Sequence, residues 1–292
     1  MRAAVVALVA VVMSGAFAQV ALAAAKKPSV AAYKGLGSWV DIYETKAWAN
    51  PAATVKNMKS HGVRTLYLET GNSKQKTAIF KPASQTAFIK AAHASGIKVV
   101  AWYLPDLKNV NSDYNRVAAA IKFRTPDGQR FDSFALDIES SAVTPVSTRN
   151  SRLATLTKNL RKVAGASYPL GAIIPSPVGI AKNKTYWKGF PYKALASTYN
   201  VFVPMSYYTY HGKGAAAATA DTLSNISIIR AQPGCKTIPI HLIGGIADDS
   251  TTAEVKAFVA ATQKAKVNGA SFYSWSGTSS AAWKALTAVK AR

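Results

Sequence analysis

Eight apolar runs recur along the chain at nearly even intervals. They are Leu36–Ile42, Arg64–Thr70, Lys98–Leu104, Ser133–Glu139, Leu170–Ser176, Asn200–Tyr208, Ile238–Gly245 and Gly269–Trp275, and their starts lie between 28 and 38 residues apart. Each is rich in β-branched and aromatic residues, as strands are. Helical patterns lie between them. Asn50-Pro51 reads as an N-cap with proline at the first helical position, and Gly62 closes that helix. Pro82–Ala94 carries Phe88, Ile89 and Ala92 on one face and stops at Gly96, and Ser151–Val163, Ser250–Lys266 and Ser279–Lys290 follow the same form. Strand–helix alternation implies parallel strands joined by right-handed crossovers. Eight such units in roughly 250 residues are the size of a closed barrel. The alternative, an open doubly wound sheet, carries a Gly-rich phosphate turn after its first strand. No such turn follows Leu36–Asp41. No linker or shift in composition divides residues 30–292, so the chain is expected to be α/β, a single-domain (β/α)8 TIM barrel. Ala215–Ala218 reads as a small-residue loop after the sixth strand.

The segment before the barrel has a different character. Arg2 precedes the apolar stretch Ala3–Val12, and Ala21-Leu22-Ala23 satisfies the small-x-small rule for processing, with Ala16-Phe17-Ala18 as a second site. The apolar stretch is short for a membrane span, which needs ~20 residues. Residues 1–23 therefore read as a signal peptide. The mature protein is expected to be secreted, extracellular or associated with the cell envelope, and free of the membrane after cleavage. The single Cys235 excludes an intrachain disulfide framework and a thiolate metal cluster.

Charge narrows the search for a site. There are 36 Lys and Arg against 13 Asp and Glu, a net +23. The basic residues are spread over the helices instead of gathered in one motif, so no specific nucleic acid is expected as partner. Electrostatic association with anionic envelope polymers fits this distribution better. The scarce acids are the informative ones. Seven of the 13, Asp41, Glu69, Asp106, Asp137, Glu139, Asp248 and Asp249, fall at or just beyond predicted strand ends. In a barrel of this kind that face carries the chemistry.

The fourth run is the most telling. Strand alternation puts Ser133, Ala135, Asp137 and Glu139 on one face and Phe134, Leu136 and Ile138 on the other. Small residues below acids open a cavity at the strand's end. Two carboxylates two positions apart repel when both are ionised, which raises one pKa and favours a protonated acid near neutral pH. Cleavage of a glycosidic bond needs such an acid. The opposing reading, an ion pair with a neighbouring base, has little to draw on, because Arg64 and Lys98 lie at strand beginnings. Trp39, Tyr67, Trp102, Tyr103, Tyr207, Tyr208, Tyr210, Tyr273 and Trp275 lie in or just past strands. Aromatic faces against C–H faces, with acids for hydroxyls, suit a carbohydrate; aromatics also pack in cores. No G-x-S-x-G elbow and no HExxH is present. No metal and no cofactor is expected.

The fourth run resembles the D-G-x-D-x-D-x-E signature of family 18 glycoside hydrolases, the chitinase-like barrels. Asp132, Asp137 and Glu139 match, while Ser133 stands for the glycine and Ala135 for the middle acid. Val203–Tyr208 is similar to that family's M-x-Y-[DN], with Met205 and Tyr207 matching and Tyr208 in place of the acid or amide; Trp275 falls where the family has its eighth-strand Trp. The D-x-E pair also resembles family 25 lysozyme-type barrels, and the whole chain looks like exported glycosyl hydrolase barrels of actinobacterial type. The resemblance implies Glu139 as general acid, Asp137 orienting a substrate acetamido group, Tyr207 donating to that group and Trp275 flooring the pocket. Loss of the middle acid leaves Asp137 without its proton-sharing partner, and without substrate assistance Glu69 or Asp41 on a neighbouring strand is the candidate second carboxylate. Glu139, Asp137 and Glu69 are thus the catalytic candidates. Asp41, Tyr67, Trp102, Tyr103, Met205, Tyr207, Tyr208, Asp248 and Trp275 are the candidate contacts to a polysaccharide. The expected activity is that of an exported glycoside hydrolase acting on a polysaccharide, such as a cell-wall or amino-sugar glycan. A non-catalytic, lectin-like carbohydrate-binding barrel is the alternative.

Overall fold

The computed structural model describes residues 28–292, so the signal-peptide expectation lies outside the described residues. Eight strands close into a barrel: β1 (Gly35–Val40), β2 (Thr65–Asn72), β3 (Lys98–Leu104), β4 (Ser133–Asp137), β5 (Leu170–Pro175), β6 (Val201–Met205), β7 (His241–Ile246) and β8 (Gly269–Tyr273). All neighbouring pairs are parallel, and β8 returns to β1. The (β/α)8 expectation holds. The helices are α1 (Thr45–Ala49), α2 (Pro51–Ser60), α3 (Pro82–Ala94), α4 (Val110–Lys122), α5 (Val146–Ala164), α6 (Pro177–Lys182), α7 (Tyr192–Thr198), α8 (Ala215–Ala231), α9 (Thr252–Lys264) and α10 (Ser280–Leu286).

Local chemistry sets several boundaries. Pro51 and Pro82 open α2 and α3 at the first helical turn, where the missing N–H is not needed. Asn109 caps α4 through Ser112 N–H, and Thr251 with Glu254 forms a reciprocal capping box on α9. Ala215–Ala218 is no loop. It is the first turn of α8, entered through Gly214 at φ 86°. Four alanines carry no apolar–polar period, but they are strong helix formers, and propensity decides here.

Two cores result from strand alternation. Outward residues such as Leu66, Leu68, Phe134, Leu136, Phe202 and Phe272 pack under the helices. Inward residues fill the barrel: Trp39, Tyr67, Val100, Trp102, Ala135, Ile173, Val203, Met205 and Ile243, with Tyr33 entering from a short helical turn before β1. Trp39 stacks on Tyr67 with centroids 4.1 Å apart and donates from Nε1 to Ser271 Oγ at 2.8 Å. At Gly171 a Cβ would lie 2.5 Å from the Tyr33 hydroxyl, so the missing side chain makes room for that ring. These side chains fill the lower barrel interior. Among the described residues no helix is long and apolar enough to cross a membrane.

Candidate active site

The pattern on β4 reaches the structure intact. Ser133 and Ala135 are buried inside the barrel, while Phe134, Leu136 and Ile138 face the outer shell. Asp137 ends the strand at 6% exposure, and Glu139 follows, half-buried. On β2, Glu69 lies beside Trp102 across the β2–β3 ladder, and Trp102 lies beside Ala135 across β3–β4. One rung of the barrel thus brings β2, β3 and β4 together, and the three carboxylates converge. Glu69, Asp137 and Glu139 line one cavity of about 300 Å3 at the C-terminal mouth. Trp102, Met205, Tyr207 and Tyr273 wall it, with the exposed Tyr43 and Tyr210 at its rim. Among the described residues Lys74 is the one basic residue in the lining.

Among the described residues no ion pair reaches any of the three acids. Asp137 Oδ1 is buried with no hydrogen-bond partner, as is Trp102 Nε1. Burial, then the charge of Glu139, then that of Glu69, push the Asp137 carboxyl well above the usual range. Burial raises Glu139. Glu69 is pushed up to about 7 by burial, although Ile42 N–H (2.9 Å) and the Asn72 amide (3.2 Å) donate to it. Three such groups cannot all ionise at neutral pH, so the cluster retains a proton there. Burial, with Asp137 and Glu139 nearby, also raises the Tyr207 phenol and keeps it a donor.

This cluster costs the fold stability. A carboxyl raised in the native state favours folding below its unfolded pKa and loses that advantage as pH rises through its native pKa. For Glu69 the window runs from the ordinary 4.5 to about 7. Ionising it in place costs on the order of 3 kcal/mol. Glu69→Gln removes that cost but leaves one of two donors without an acceptor, a loss of about 1 kcal/mol. The variant is expected to be about 2 kcal/mol more stable than wild type at pH 8 and slightly less stable at pH 4. Urea unfolding at the two pH values measures both.

The other predicted residues divide cleanly. Trp102, Met205 and Tyr207 line the cavity. Asp41 stands behind it: Oδ2 accepts from the Tyr273 hydroxyl at 2.5 Å and Oδ1 from Tyr43 N–H at 2.7 Å, so it aims two aromatics. Tyr67 faces inward one rung too low and is sealed beneath Trp39. Tyr103 alternates outward and donates to Asp113 Oδ1 at 2.6 Å. Tyr208 also leaves the site. β6 ends at Met205, and Tyr207 adopts a left-handed conformation (φ 36°, ψ 58°) that turns its own ring in and Tyr208 out against Phe258 and Phe272. Asp248 is exposed beside Gly277, outside the cavity. Trp275 is carried away because β8 stops at Tyr273; its ring packs on Trp283 and His61. Tyr273 takes the inner position instead. Asp132 lies at the opposite end of β4, clamped by Lys98, His93 and Val99 N–H.

Some lining residues escaped the sequence reading. Tyr43, Ser73 and Lys74 come from the loops after β1 and β2, and Asn72 is the last residue of β2. Tyr186, from the loop before α7, donates to the Glu139 carbonyl at 2.6 Å and steadies that turn. Only Asn72 and Tyr43 carried a signal, being polar or aromatic at or just past a strand end. Beyond Glu139 the cleft continues into a space of about 470 Å3 that contains His211, held by Asp221 at 2.7 Å. Among the described residues no group of three or more His, Cys, Asp or Glu is arranged to hold a metal ion.

No family model and no curated protein sequence matches the chain. Solved structures do match it in shape. A class V chitinase from Pseudomonas fluorescens Pf-5 is 13% identical with a TM-score of 0.60, covering 87% of this chain and 99% of its own. The glycoside hydrolase domain of PgaB (BpsB) from Bordetella bronchiseptica is 11% identical with a TM-score of 0.59, covering 87% and 98%. A family 18 chitinase from Cycas revoluta in complex with (GlcNAc)3 is 10% identical with a TM-score of 0.58, covering 86% and 98%. At these identities the likeness is one of fold, and in fold the chain resembles the family 18 chitinases and related glycoside hydrolases over most of its length.

Proposed function

We propose that the chain is an exported glycoside hydrolase that cleaves a polysaccharide by general-acid catalysis from Glu139. The observation that carries this reading is the convergence of Glu139, Asp137 and Glu69 in one aromatic-walled cavity, where among the described residues no ion pair quenches them. Glu139 stands nearest to solvent of the β4 pair and gives its proton to the glycosidic oxygen as the C1–O bond breaks. Positive charge then develops on the sugar ring, C1 is taken up by the substrate's acetamido oxygen or by the Glu69 carboxylate, and a water that gives its proton to the Glu139 carboxylate displaces that group to complete hydrolysis. Asp137 and Glu69, crowded and poorly solvated, gain from that charge more than they would in water. With an N-acetylated sugar, Asp137 orients the acetamido N–H and Tyr207 donates to its carbonyl. Without one, Glu69 is the second carboxylate. Trp102 and Tyr273 supply apolar faces for the sugar. The neighbours named above, chitinases and a glycoside hydrolase domain, favour an amino-sugar glycan.

Residues 30–292 form the catalytic domain in this reading, and residues 1–23 direct export and are removed. The net +23 holds the secreted protein against anionic envelope polymers. Release of reducing ends from chitin, poly-N-acetylglucosamine and peptidoglycan by the purified protein tests the activity. The lectin-like reading draws on one observation: Ala135 gives Asp137 no proton-sharing partner, and Asp137 Oδ1 is left unpaired. Retention of the protein on these glycans with no product after long incubation selects it.

A further inference from the structure

Trp275 does not floor the carboxylate pocket, but it does line a second cavity of about 490 Å3 on the other side of Tyr43. Tyr43 is 69% exposed and belongs to both walls, so the two spaces meet across a single ring. The second cavity also contains Glu44, Thr54 and Ser276. Glu44 is only 8% exposed, yet its carboxyl is half used. Oε1 accepts from Ser276 N–H at 3.1 Å, whereas Oε2 is buried with no hydrogen-bond partner among the described residues. A buried carboxylate oxygen left unpaired is costly, and a ligand hydroxyl offered to it is correspondingly favoured. Burial raises the Glu44 carboxyl and outweighs the lowering by hydrogen bonds from Ser274 and Ser276. The indole of Trp275 is held by Trp283 (5.1 Å between centroids) and needs no reordering to accept a flat apolar face.

We infer that this cavity is an accessory subsite for an uncharged pyranose unit of the same glycan strand, stacked on Trp275 with a hydroxyl donating to Glu44 Oε2. The inference rests on the reading of the adjacent pocket as a glycan-cleaving site. A strand seated over Glu139 reaches the subsite by crossing Tyr43. Binding strength therefore depends on strand length in a way that Glu44 and Trp275 control.

The test uses the full-length protein carrying Glu139→Gln, which binds without turnover, titrated calorimetrically with short and long N-acetylglucosamine oligomers. Affinity is expected to rise with length. Adding Trp275→Ala or Glu44→Gln should weaken the long oligomer about tenfold and abolish the gain on lengthening. Glu44→Gln keeps the acceptor for Ser276 N–H and so separates loss of the subsite from loss of the fold. Trp275→Phe should restore part of the gain. If both double variants keep the full length dependence, the subsite is overturned while the glycan reading stands. If Glu139→Gln binds no oligomer and no peptidoglycan fragment, the glycan reading falls and the subsite falls with it.

Discussion

Replacing Glu139 by Gln is expected to lower kcat for glycan hydrolysis by about a thousandfold while leaving glycan affinity within about twofold. That corresponds to about 4 kcal/mol of lost transition-state stabilisation. Gln fills the same space and can still hydrogen-bond to the leaving oxygen, but it has no proton to give. The defect should depend on the leaving group. A nitrophenyl glycoside departs as a weakly basic phenolate and needs little protonation, so the variant should lose far less on it than on the natural glycan. Equal losses on both substrates would remove Glu139 from the role of acid.

Asp137→Asn is expected to reduce kcat by about a hundredfold and to move the pH profile. In wild type the charges of Glu139 and Glu69 reinforce burial in holding a proton on Asp137. The three acids therefore titrate as one cluster, and its upper step belongs to none of them alone. Taking away one negative charge relieves the repulsion that keeps the remaining proton in place. The cluster then loses that proton at lower pH, and the alkaline limb of kcat/KM moves in the acid direction. An unmoved limb with the same loss of rate would mean that Asp137 only positions substrate.

Much of this arrangement is legible in the residues. The eight runs and the helical spacing between them lead to the barrel. Strict alternation on β4 separates Ala135 and Asp137 from Phe134 and Leu136. Glu69 stands out because an acid inside an apolar run has to face something other than lipid-like packing. Two kinds of information are not local. The first is height: Tyr67 has the same inward parity as Glu69 but lies one rung lower, where Trp39 covers it. The second is where a strand stops. Tyr207 and Tyr208 exchange roles because β6 ends at Met205 and the chain turns left-handed at Tyr207. Trp275 shares parity with Tyr273, yet β8 ends first, and Asp41 fixes Tyr273 in the inner place. Pairing across the barrel decides these endpoints, and no window of sequence contains it. Tyr43 and Lys74 enter on loops for the same reason.

Everything proposed for the pocket depends on its holding a proton at neutral pH. Carbon-13 NMR of the carboxyl groups of Glu69, Asp137 and Glu139, followed from pH 3 to pH 9 and assigned with the Gln and Asn variants, reads this directly. At least one of the three carboxyls is expected to remain protonated above pH 6, with Glu69 changing near pH 7. Three independent titrations near pH 4 would contradict the proposed acid, and with it the assignment of this barrel to glycan cleavage by Glu139.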